Sequence, residues 1–293
     1  MAMFVEGRPV VVTGGGSGIG AALAAEAADR GASAVAVADL EVEAAEAVAR
    51  GIVERGGSAR AYGCDVTSPE SVGELTDAVA RNHGPPALAC ANAGVMAPLA
   101  PLLETPWADA EWTTKVNVLG TLHTLQSFGR LMVAGDQPGW LMATGSEHSV
   151  GVPHLHAGAY TASKHAVLAM CDVLRGELPD HVGISLLCPG ITSSNLWDST
   201  RHRPERYGGA AESDPMSGML MEQKGMSAST VAQRAFDGVA AGRFLIPTHY
   251  HVRLYAQRRA DEMAEAFDLL SEIDTDDYDL TTIVAGLGSE VDG

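Results

Sequence analysis

The side chains best suited to chemistry are a tyrosine and a lysine four residues apart, Tyr160 and Lys164. On a helix, side chains at this spacing lie on one face. A phenol has a pKa of about 10 in short peptides, and we expect the adjacent ammonium to lower the pKa of Tyr160 because it favours the phenolate. The pair therefore predicts an acid–base group that works near neutral pH. By itself the spacing is not specific, since tyrosine and lysine often share a solvated helix face.

A glycine-rich segment at residues 13–20 supplies a second functional pattern. It follows an apolar, β-rich run and opens an alanine-rich helix. Bare backbone lets a pyrophosphate approach, and a helix N-terminus offers it N–H groups and a positive dipole. The segment therefore predicts a dinucleotide site rather than a structural glycine turn. The residues assigned to this site are Gly14, Ser17, Gly18 and Ile19.

An acidic residue, Asp39, ends the second β-rich run. A carboxylate at this place can accept hydrogen bonds from the ribose hydroxyls of an adenosine, and it repels a 2′-phosphate. Neither the glycine segment nor the residues just after Asp39 contain Arg or Lys. These features predict NAD rather than NADP as the cofactor. The alternative is that Asp39 only caps the helix that begins near residue 41.

Two further strand ends carry residues that can contact a ligand. Asp65 and Val66 follow the third β-rich run, and Asn92, Ala93 and Gly94 follow the fourth. Open α/β sheets bind ligands at the carboxyl ends of their strands. We expect Asp65 to accept a hydrogen bond from the adenine amino group. We expect Asn92 both to line the site and to act as a turn residue that ties neighbouring strands together.

Short apolar runs alternate with helical stretches along most of the chain. This alternation predicts an α/β fold with a doubly wound parallel sheet of the Rossmann type. We predict a single domain over residues 1–266, with a substrate lid at about 193–226 inserted before the last helix and strand, and an acidic C-terminal tail at 267–293. The predicted strands are 9–13, 34–38, 59–64, 87–91, 140–144, 183–188 and 244–246, and the main predicted helices are 19–30, 41–55, 107–133, 160–178, 227–241 and 250–270.

Composition limits the class of partner. The net charge is −18, whereas nucleic acids and anionic membranes bind positive surfaces, so we expect neither as a partner. The four cysteines are widely spaced, which predicts buried free thiols. No apolar run approaches the roughly 20 residues of a membrane span, and the first residues lack the features of a signal peptide. We therefore expect a cytoplasmic protein.

Taken in order, these motifs resemble those of the short-chain dehydrogenase/reductase family from about residue 8 to residue 249. The motifs are the glycine segment, Asp65-Val66, Asn92-Ala93-Gly94, Asn117, Ser146, the pair Tyr160 and Lys164, and Pro189-Gly190. Each is common alone, but this order and spacing are highly specific.

The resemblance implies a role for each residue. Tyr160 would exchange a proton with the substrate oxygen, and Lys164 would lower the tyrosine pKa and bind the nicotinamide ribose. Ser146 would hydrogen-bond the substrate oxygen and stabilise the charge that develops there. Asn117 would hold a water that passes protons from Lys164 towards solvent. The residues implied to contact the nicotinamide are Pro189, Gly190 and Ile191, which would line it, and Thr192, which would bind its carboxamide.

The chain departs from the family pattern at two points. Ala91 stands where the family usually has an additional asparagine, and we expect this change to be harmless. The gap from Ser146 to Tyr160 is one residue longer than usual, so the usual serine position falls on Glu147, which cannot donate a hydroxyl. We keep Ser146 because it follows the end of the fifth predicted strand, and Ser149 is the alternative.

Three histidines, His148, His154 and His156, cluster in the loop after Ser146. Their spacing is not that of a helical metal motif, so we predict no metal and expect them to shape the substrate entrance.

The predicted lid is rich in flexible apolar residues, of which Leu196, Trp197 and Met219 are the candidate substrate contacts. Such side chains suit a hydrophobic alcohol, aromatic alcohols included, although ordinary lid packing explains them equally well. Three lid arginines, at 201, 203 and 206, either attract a carboxylate or are surface charges. The run Arg203-Pro204-Glu205-Arg206 and the length of the lid are similar to family members that oxidise benzylic alcohols of lignin-derived aromatics.

The sequence thus predicts an NAD-dependent oxidoreductase that interconverts a hydrophobic secondary alcohol and its ketone, with Tyr160 as the acid–base group. The resemblance implies a homodimer or homotetramer that pairs the predicted helix at 107–133 and the helix that carries Tyr160. Two alternatives stay open. One is an NADPH-dependent carbonyl reductase, and the other is a catalytically silent nucleotide-sensing protein with the same fold.

Overall fold

The computed structural model describes residues 4–152, 154–211 and 215–268. The chain divides into two compact units, Met1–Val252 and Arg253–Gly293. The first unit contains the sheet and the candidate site. The described part of the second unit is helical and extends to Asp268. The domain boundary predicted at residue 266 stays a prediction, and the predicted tail lies, from residue 269 onward, outside the described residues.

Within the described residues, seven parallel strands form the central sheet, in the order β3-β2-β1-β4-β5-β6-β7. Each strand lies within one residue of its predicted position at either end, because short runs of Val, Ala and Leu bounded by turn residues specify it well. The predicted doubly wound sheet is confirmed. The strands are β1 (Pro9–Thr13), β2 (Ala34–Asp39), β3 (Ala59–Gly63), β4 (Leu88–Ala91), β5 (Gly139–Thr144), β6 (Val182–Cys188) and β7 (Leu245–Pro247).

Helices cover both faces of this sheet. Alternate residues of β1 show the two layers, since Val10 and Val12 pack with α1, α2 and α8, while Val11 packs with α3, α5 and α6. Strands buried on both faces are continuously apolar, as β1 is. The α-helices are α1 (Gly18–Asp29), α2 (Val42–Glu54), α3 (Pro69–His83), α4 (Trp107–Thr114), α5 (Thr121–Val133), α6 (Gly158–Glu177), α7 (Pro215–Lys224), α8 (Ala228–Ala240) and α9 (Val252–Asp268).

The helix predicted at 107–133 has an unpredicted interruption. A π-helical segment, Lys115–Gly120, lies between α4 and α5. Helical backbone angles at Thr114 and Thr121 keep the path of the chain continuous across it. A π segment shifts the side chains that follow it around the helix axis, and such segments are frequent at functional sites. Asn117 lies within this one.

Two short strands mark the ends of the predicted lid. Thr192–Ser193 and Met226–Ser227 pair in parallel, so that the chain leaves and re-enters the main fold at adjacent points. The lid between them contains the 3-10 helices Asn195–His202 and Glu205–Tyr207, followed by α7.

Two expectations drawn from the composition concern the cysteines and membrane-spanning helices. The cysteines at 64, 90, 171 and 188 are buried free thiols, as predicted. In the part of the chain that the structure describes, no helix combines the length and the apolar character of a membrane span.

Candidate active site

A cavity of about 310 Å³ lies at the carboxyl ends of the strands. Every cofactor residue predicted from the sequence lines it, from Gly14 in the glycine segment to Thr192 at the base of the lid. Ser146, Tyr160 and Lys164 line the same cavity. The strand order reverses between β1 and β4, and this is the place where open α/β sheets bind their ligands.

Glycine is required at two positions of the glycine segment. Gly14 has a φ of +63°, and a Cβ there would lie 2.7 Å from the Cα of Ala93. A Cβ at Gly20 would overlap the carbonyl oxygen of Gly14. The segment therefore packs tightly while its backbone leads into the N-terminus of α1, where Ser17 is the N-cap residue. This arrangement fits the pyrophosphate of a dinucleotide.

Asp39 braces the glycine segment and the start of α2. Its Oδ2 accepts a hydrogen bond from the backbone N–H of Gly16 at 2.8 Å, and its Oδ1 accepts one from Glu41 at 3.0 Å. The N-cap residue of α2 is Glu41, without a side-chain cap hydrogen bond, so Asp39 holds the turn before the helix rather than capping it. This role does not exclude a ribose contact, because each carboxylate oxygen can accept a second hydrogen bond and Asp39 lines the cavity.

An arginine and a histidine of the lid reach this adenosine end of the cavity. Arg201 lies 3.6 Å and His202 lies 3.3 Å from the same carboxylate oxygen of Glu41. Both line the cavity. The sequence did not predict Arg201 and His202 at this place, because they lie more than 150 residues after Asp39 along the chain.

Asn92 ties strands together, as predicted. Its Nδ2 donates to the carbonyl oxygens of Thr13 and Gly14, both at 3.1 Å, and its Oδ1 accepts from the hydroxyl of Thr144 at 3.0 Å. These contacts join the ends of β1, β4 and β5, and they hold the wall of the cavity in place.

Ser146 and Tyr160 meet at the centre of the cavity. Tyr160 is 8% exposed on α6, and the Ser146 side chain lies close enough to its phenol to lower the phenol pKa against the effect of burial. A 3-10 turn over Glu147–Ser149 directly follows Ser146. Ser149 has another task, since its hydroxyl accepts a hydrogen bond from the backbone N–H of Ser146 at 3.1 Å. The geometry therefore favours Ser146 over Ser149 as the partner of Tyr160.

The expectation that Lys164 lowers the pKa of Tyr160 is wrong. Burial raises the pKa of Tyr160 to about 12, and the negative charge of Glu147 adds to this, while the hydrogen bond with Ser146 opposes it. Burial also lowers the pKa of Lys164 to about 8. Its Nζ donates to the carbonyl oxygen of Thr144 at 2.8 Å and lies 5.6 Å from the centre of the Tyr160 ring. Desolvation, which favours the neutral form of each group, outweighs their mutual attraction.

The side chain of Asn117 is buried and holds neighbouring elements together. Its Oδ1 accepts from the backbone N–H of Val95 at 2.8 Å, and its Nδ2 donates to the Val95 carbonyl at 2.9 Å and to the Ser163 hydroxyl at 3.0 Å. These bonds attach the π segment to the chain after β4 and to α6. The predicted water-holding role of Asn117 stays a prediction.

A buried carboxylate, Glu147, lies beside the Ser146–Tyr160 pair. Its side chain is 4% exposed, and its two oxygens contact the Nε2 atoms of His154 at 3.3 Å and His251 at 2.8 Å. Burial acts to raise the pKa of Glu147, but the hydrogen bonds from the two histidines outweigh it and lower the pKa. In the sequence, Glu147 stood out only because it occupies the usual serine position and cannot donate a hydroxyl hydrogen bond as a serine does.

The loop histidines occupy different places. His148 and His154 line the cavity, as expected for residues that shape the substrate entrance. The His148 ring stands edge-on to the Tyr160 ring with centres 5.3 Å apart, and burial lowers the pKa of His148 to about 4. His156 is exposed and has a φ of +69°.

The lid contributes fewer substrate contacts than predicted. Leu196 lines the cavity, whereas Trp197 and Met219 are not among its lining residues in the described part of the chain. Trp197 packs over Gly218 of α7, where a Cβ would collide with the indole. Met219 is 53% exposed, because it lies on the outward side of α7. The cavity instead gains apolar walls from Val95, Met96, Trp112 and Met221.

One lid arginine is an internal anchor rather than a surface charge. Arg203 forms an ion pair with Asp109 of α4, and their side chains are 13% and 6% exposed. Its Nε also donates to the carbonyl oxygen of Gly209 at 2.8 Å. The pair attaches the lid to the helix that precedes the π segment. Arg206 lines the cavity and packs over the Tyr207 ring.

Comparison with known proteins agrees with this geometry. The family model for short chain dehydrogenases matches residues 8–205. A 1-deoxy-11-beta-hydroxypentalenate dehydrogenase from Streptomyces exfoliatus is 30% identical over 263 residues, which are 89% of this chain and 90% of that enzyme. A D-threitol dehydrogenase from Mycolicibacterium smegmatis is 35% identical over 203 residues, 67% of this chain and 76% of that enzyme.

A solved structure gives the same result for the fold. The crystal structure of a short-chain dehydrogenase/reductase from Burkholderia phymatum in complex with NAD superimposes with a TM-score of 0.84 at 29% identity, covering 91% of this chain and 97% of that one. The chain belongs to the short-chain dehydrogenase/reductase family, and it is an oxidoreductase of the dehydrogenase type.

Proposed function

We propose that the protein is an NAD-dependent oxidoreductase that interconverts a hydrophobic secondary alcohol, aromatic alcohols included, and its ketone. The observation that carries the proposal is that Ser146, Tyr160 and Lys164 line the same cavity as the glycine segment. A bound nicotinamide dinucleotide supplies the hydride acceptor or donor for the carbinol carbon.

The residues of the chain supply the proton chemistry. In the oxidative direction the Tyr160 oxygen accepts the proton of the substrate hydroxyl, and in the reductive direction its O–H donates a proton to the ketone oxygen. The Ser146 hydroxyl donates a hydrogen bond to the same substrate oxygen and stabilises its charge. Lys164 binds the nicotinamide ribose and places a cation one helical turn from Tyr160.

The charge around the adenosine end supports NAD. Asp39, Glu41 and Asp198 contribute three carboxylates there, against the guanidinium of Arg201. His202 adds no full charge at pH 7, because burial lowers its pKa below the ordinary histidine value. The acids outnumber the cations, so a 2′-phosphate would meet net repulsion.

The cavity walls support a substrate with an apolar body. Leu196, Val95, Met96 and Met221 provide flexible or branched apolar surface around the polar Ser146–Tyr160 centre. The two relatives described above carry names of hydroxylated compounds, which supports a hydroxyl-bearing substrate.

The primary test is Tyr160→Phe assayed with an alcohol that the wild type oxidises. Loss of the proton acceptor should reduce turnover by about 100-fold or more, while NADH binding, measured by fluorescence, should stay within twofold of wild type because the ring is retained. Near-normal turnover in the variant contradicts the mechanism. NADH binding without turnover on a broad panel of alcohols and ketones supports the silent nucleotide-sensing alternative.

Cofactor choice has a separate test. Wild type should bind NADH more tightly than NADPH, and Asp39→Asn should strengthen NADPH binding by about tenfold, since it removes a charge repulsion worth on the order of 1.4 kcal/mol. Asp29→Asn, an exposed substitution at the end of α1, is the matched control and should change neither affinity. Tighter NADPH binding by the wild type supports the carbonyl reductase alternative.

The proposed assembly is a homodimer or homotetramer in the cytoplasm, formed through α4–α5 and α6. Val133 and Val173 on these helices are 43% and 58% exposed, which leaves apolar surface for a second copy to cover. Light scattering gives the mass of the assembly directly, and a monomer would contradict this part of the proposal.

A further inference from the structure

Three potential metal ligands gather beside the Ser146–Tyr160 pair. Glu147, His148 and His154 each offer one donor atom, and these atoms all lie within 4.8 Å of one another. All three residues line the cavity. One carboxylate and two imidazoles form a ligand set that Zn²⁺ binds in proteins. We propose that this cluster is a binding site for a divalent transition metal of the Zn²⁺ type.

Two of the three ligands are already held in place. The Nδ1 of His148 shares a hydrogen bond with the Thr161 hydroxyl at 2.7 Å. The Oε2 of Glu147 is bonded to the Nε2 of His251 at 2.8 Å, which leaves Oε1 facing His154. Metal-binding histidines and carboxylates typically have such outer partners, which fix the ring or the carboxyl group and leave the other atom for the ion.

Small side-chain movements would complete the geometry. Zinc ligands at about 2.1 Å in a tetrahedral arrangement lie about 3.4 Å apart. Glu147 Oε1 and His154 Nε2 are 3.3 Å apart, and a separation of 4.8 Å would have to close by about 1.4 Å. The His154 side chain is 49% exposed and is therefore free to rotate, whereas Glu147 and His148 are 3% and 5% exposed.

The site goes beyond the proposed hydride transfer. Three protein ligands leave a fourth position of the ion open, and this position would face the cavity that the ligands line. It would take a water or an oxygen donor of the substrate, such as a second hydroxyl or a carboxylate.

The test measures metal binding on the full chain, without reference to turnover. After chelator treatment and dialysis, Zn²⁺ titrated by calorimetry should bind with a stoichiometry of one per chain, and Co²⁺ should give the visible absorption bands of a four-coordinate site. Glu147→Gln and His154→Gln should each weaken binding at least tenfold. His83→Gln, which changes a histidine bonded to Tyr62 on β3, is the matched control and should bind as wild type.

A second test, which should leave folding unchanged, is His251→Gln. This side chain is 47% exposed and contacts Glu147 at Oε2, the oxygen that faces away from His154, so the variant should fold while its Zn²⁺ affinity falls by about tenfold. The absence of a saturable site in wild type, or equal affinity in wild type and in the Glu147 and His154 variants, overturns the proposal and leaves the cluster as a hydrogen-bonded ion pair. Neither result affects the Tyr160→Phe test.

Discussion

Replacing Lys164 with methionine should make the protein more stable and inactive at once. Lys164 is 4% exposed, and burial lowers the pKa of its ammonium from 10.5 to about 8. At pH 7 the folded chain therefore carries a buried charge that the unfolded chain carries in water. The gap between the two pKa values corresponds to about 3 kcal/mol.

Methionine removes this charge but also removes a hydrogen bond. The bond from Nζ to the Thr144 carbonyl, at 2.8 Å, contributes about 1 kcal/mol. We therefore expect Lys164→Met to raise the free energy of unfolding by about 2 kcal/mol at pH 7. Its turnover should fall because no cation remains beside Tyr160.

The pH dependence has a definite sign. Between the folded pKa of about 8 and the unfolded value of 10.5, the folded wild type binds fewer protons than the unfolded chain, so its stability rises with pH in this window. The variant lacks this rise. Its advantage should be complete below pH 8, shrink through the window and reverse before the window ends, leaving above it the deficit of about 1 kcal/mol from the hydrogen bond.

Urea unfolding followed by tryptophan fluorescence, at equal protein concentrations from pH 7 to pH 11, measures this difference. Other titrating groups cancel, because they are present in both chains. Lys224→Met, at an exposed lysine, is the control and should track the wild type at every pH. A variant that is less stable than wild type at pH 7, or a difference that does not change with pH, would refute the reasoning.

Two further substitutions test the glycine segment and the lid anchor. Gly20→Ala places a methyl group against a backbone carbonyl of its own loop, so the NADH dissociation constant should rise tenfold or more in a fluorescence titration. Gly73→Ala, whose Cβ would meet nothing within 4 Å, should bind NADH normally and gain up to about 1 kcal/mol of stability. Asp109→Asn leaves the buried Arg203 without its counter-charge, so urea unfolding should show a loss of about 3 kcal/mol. Asp172→Asn, in an exposed pair, should lose less than about 1 kcal/mol, and equal losses for the two aspartates would contradict the anchor role.

Local patterns were sufficient to predict the sheet and most of the cavity. β1 is a short apolar run that ends in the glycine segment, and this sequence specifies both the strand and the turn after it. Ser146 could be assigned from its place just after β5, and the structure brings it to Tyr160 despite the longer gap. Each of these inferences depends on neighbours in the sequence or on the end of a strand.

The features that could not be predicted depend on residues far apart in the sequence or on how deeply a side chain is buried. Glu147 meets His251, 104 residues away, and no spacing rule links them. The pKa of Lys164 depends on how far α6 is buried, which its helical period does not reveal. The π segment at Lys115–Gly120 has no distinctive composition, and its hydrogen-bonding register is visible only in three dimensions.

The short parallel pair at the base of the lid has a consequence for how new specificities can arise. Thr192–Ser193 and Met226–Ser227 bring the two ends of the lid together, so the length of chain between them does not alter the register of the main sheet. Insertion, deletion or exchange of this segment can then change the cavity wall that it forms, while β6, α8, Ser146 and Tyr160 keep their places. An engineered exchange of the whole lid would therefore join the new segment to the chain at Ser193 and Met226.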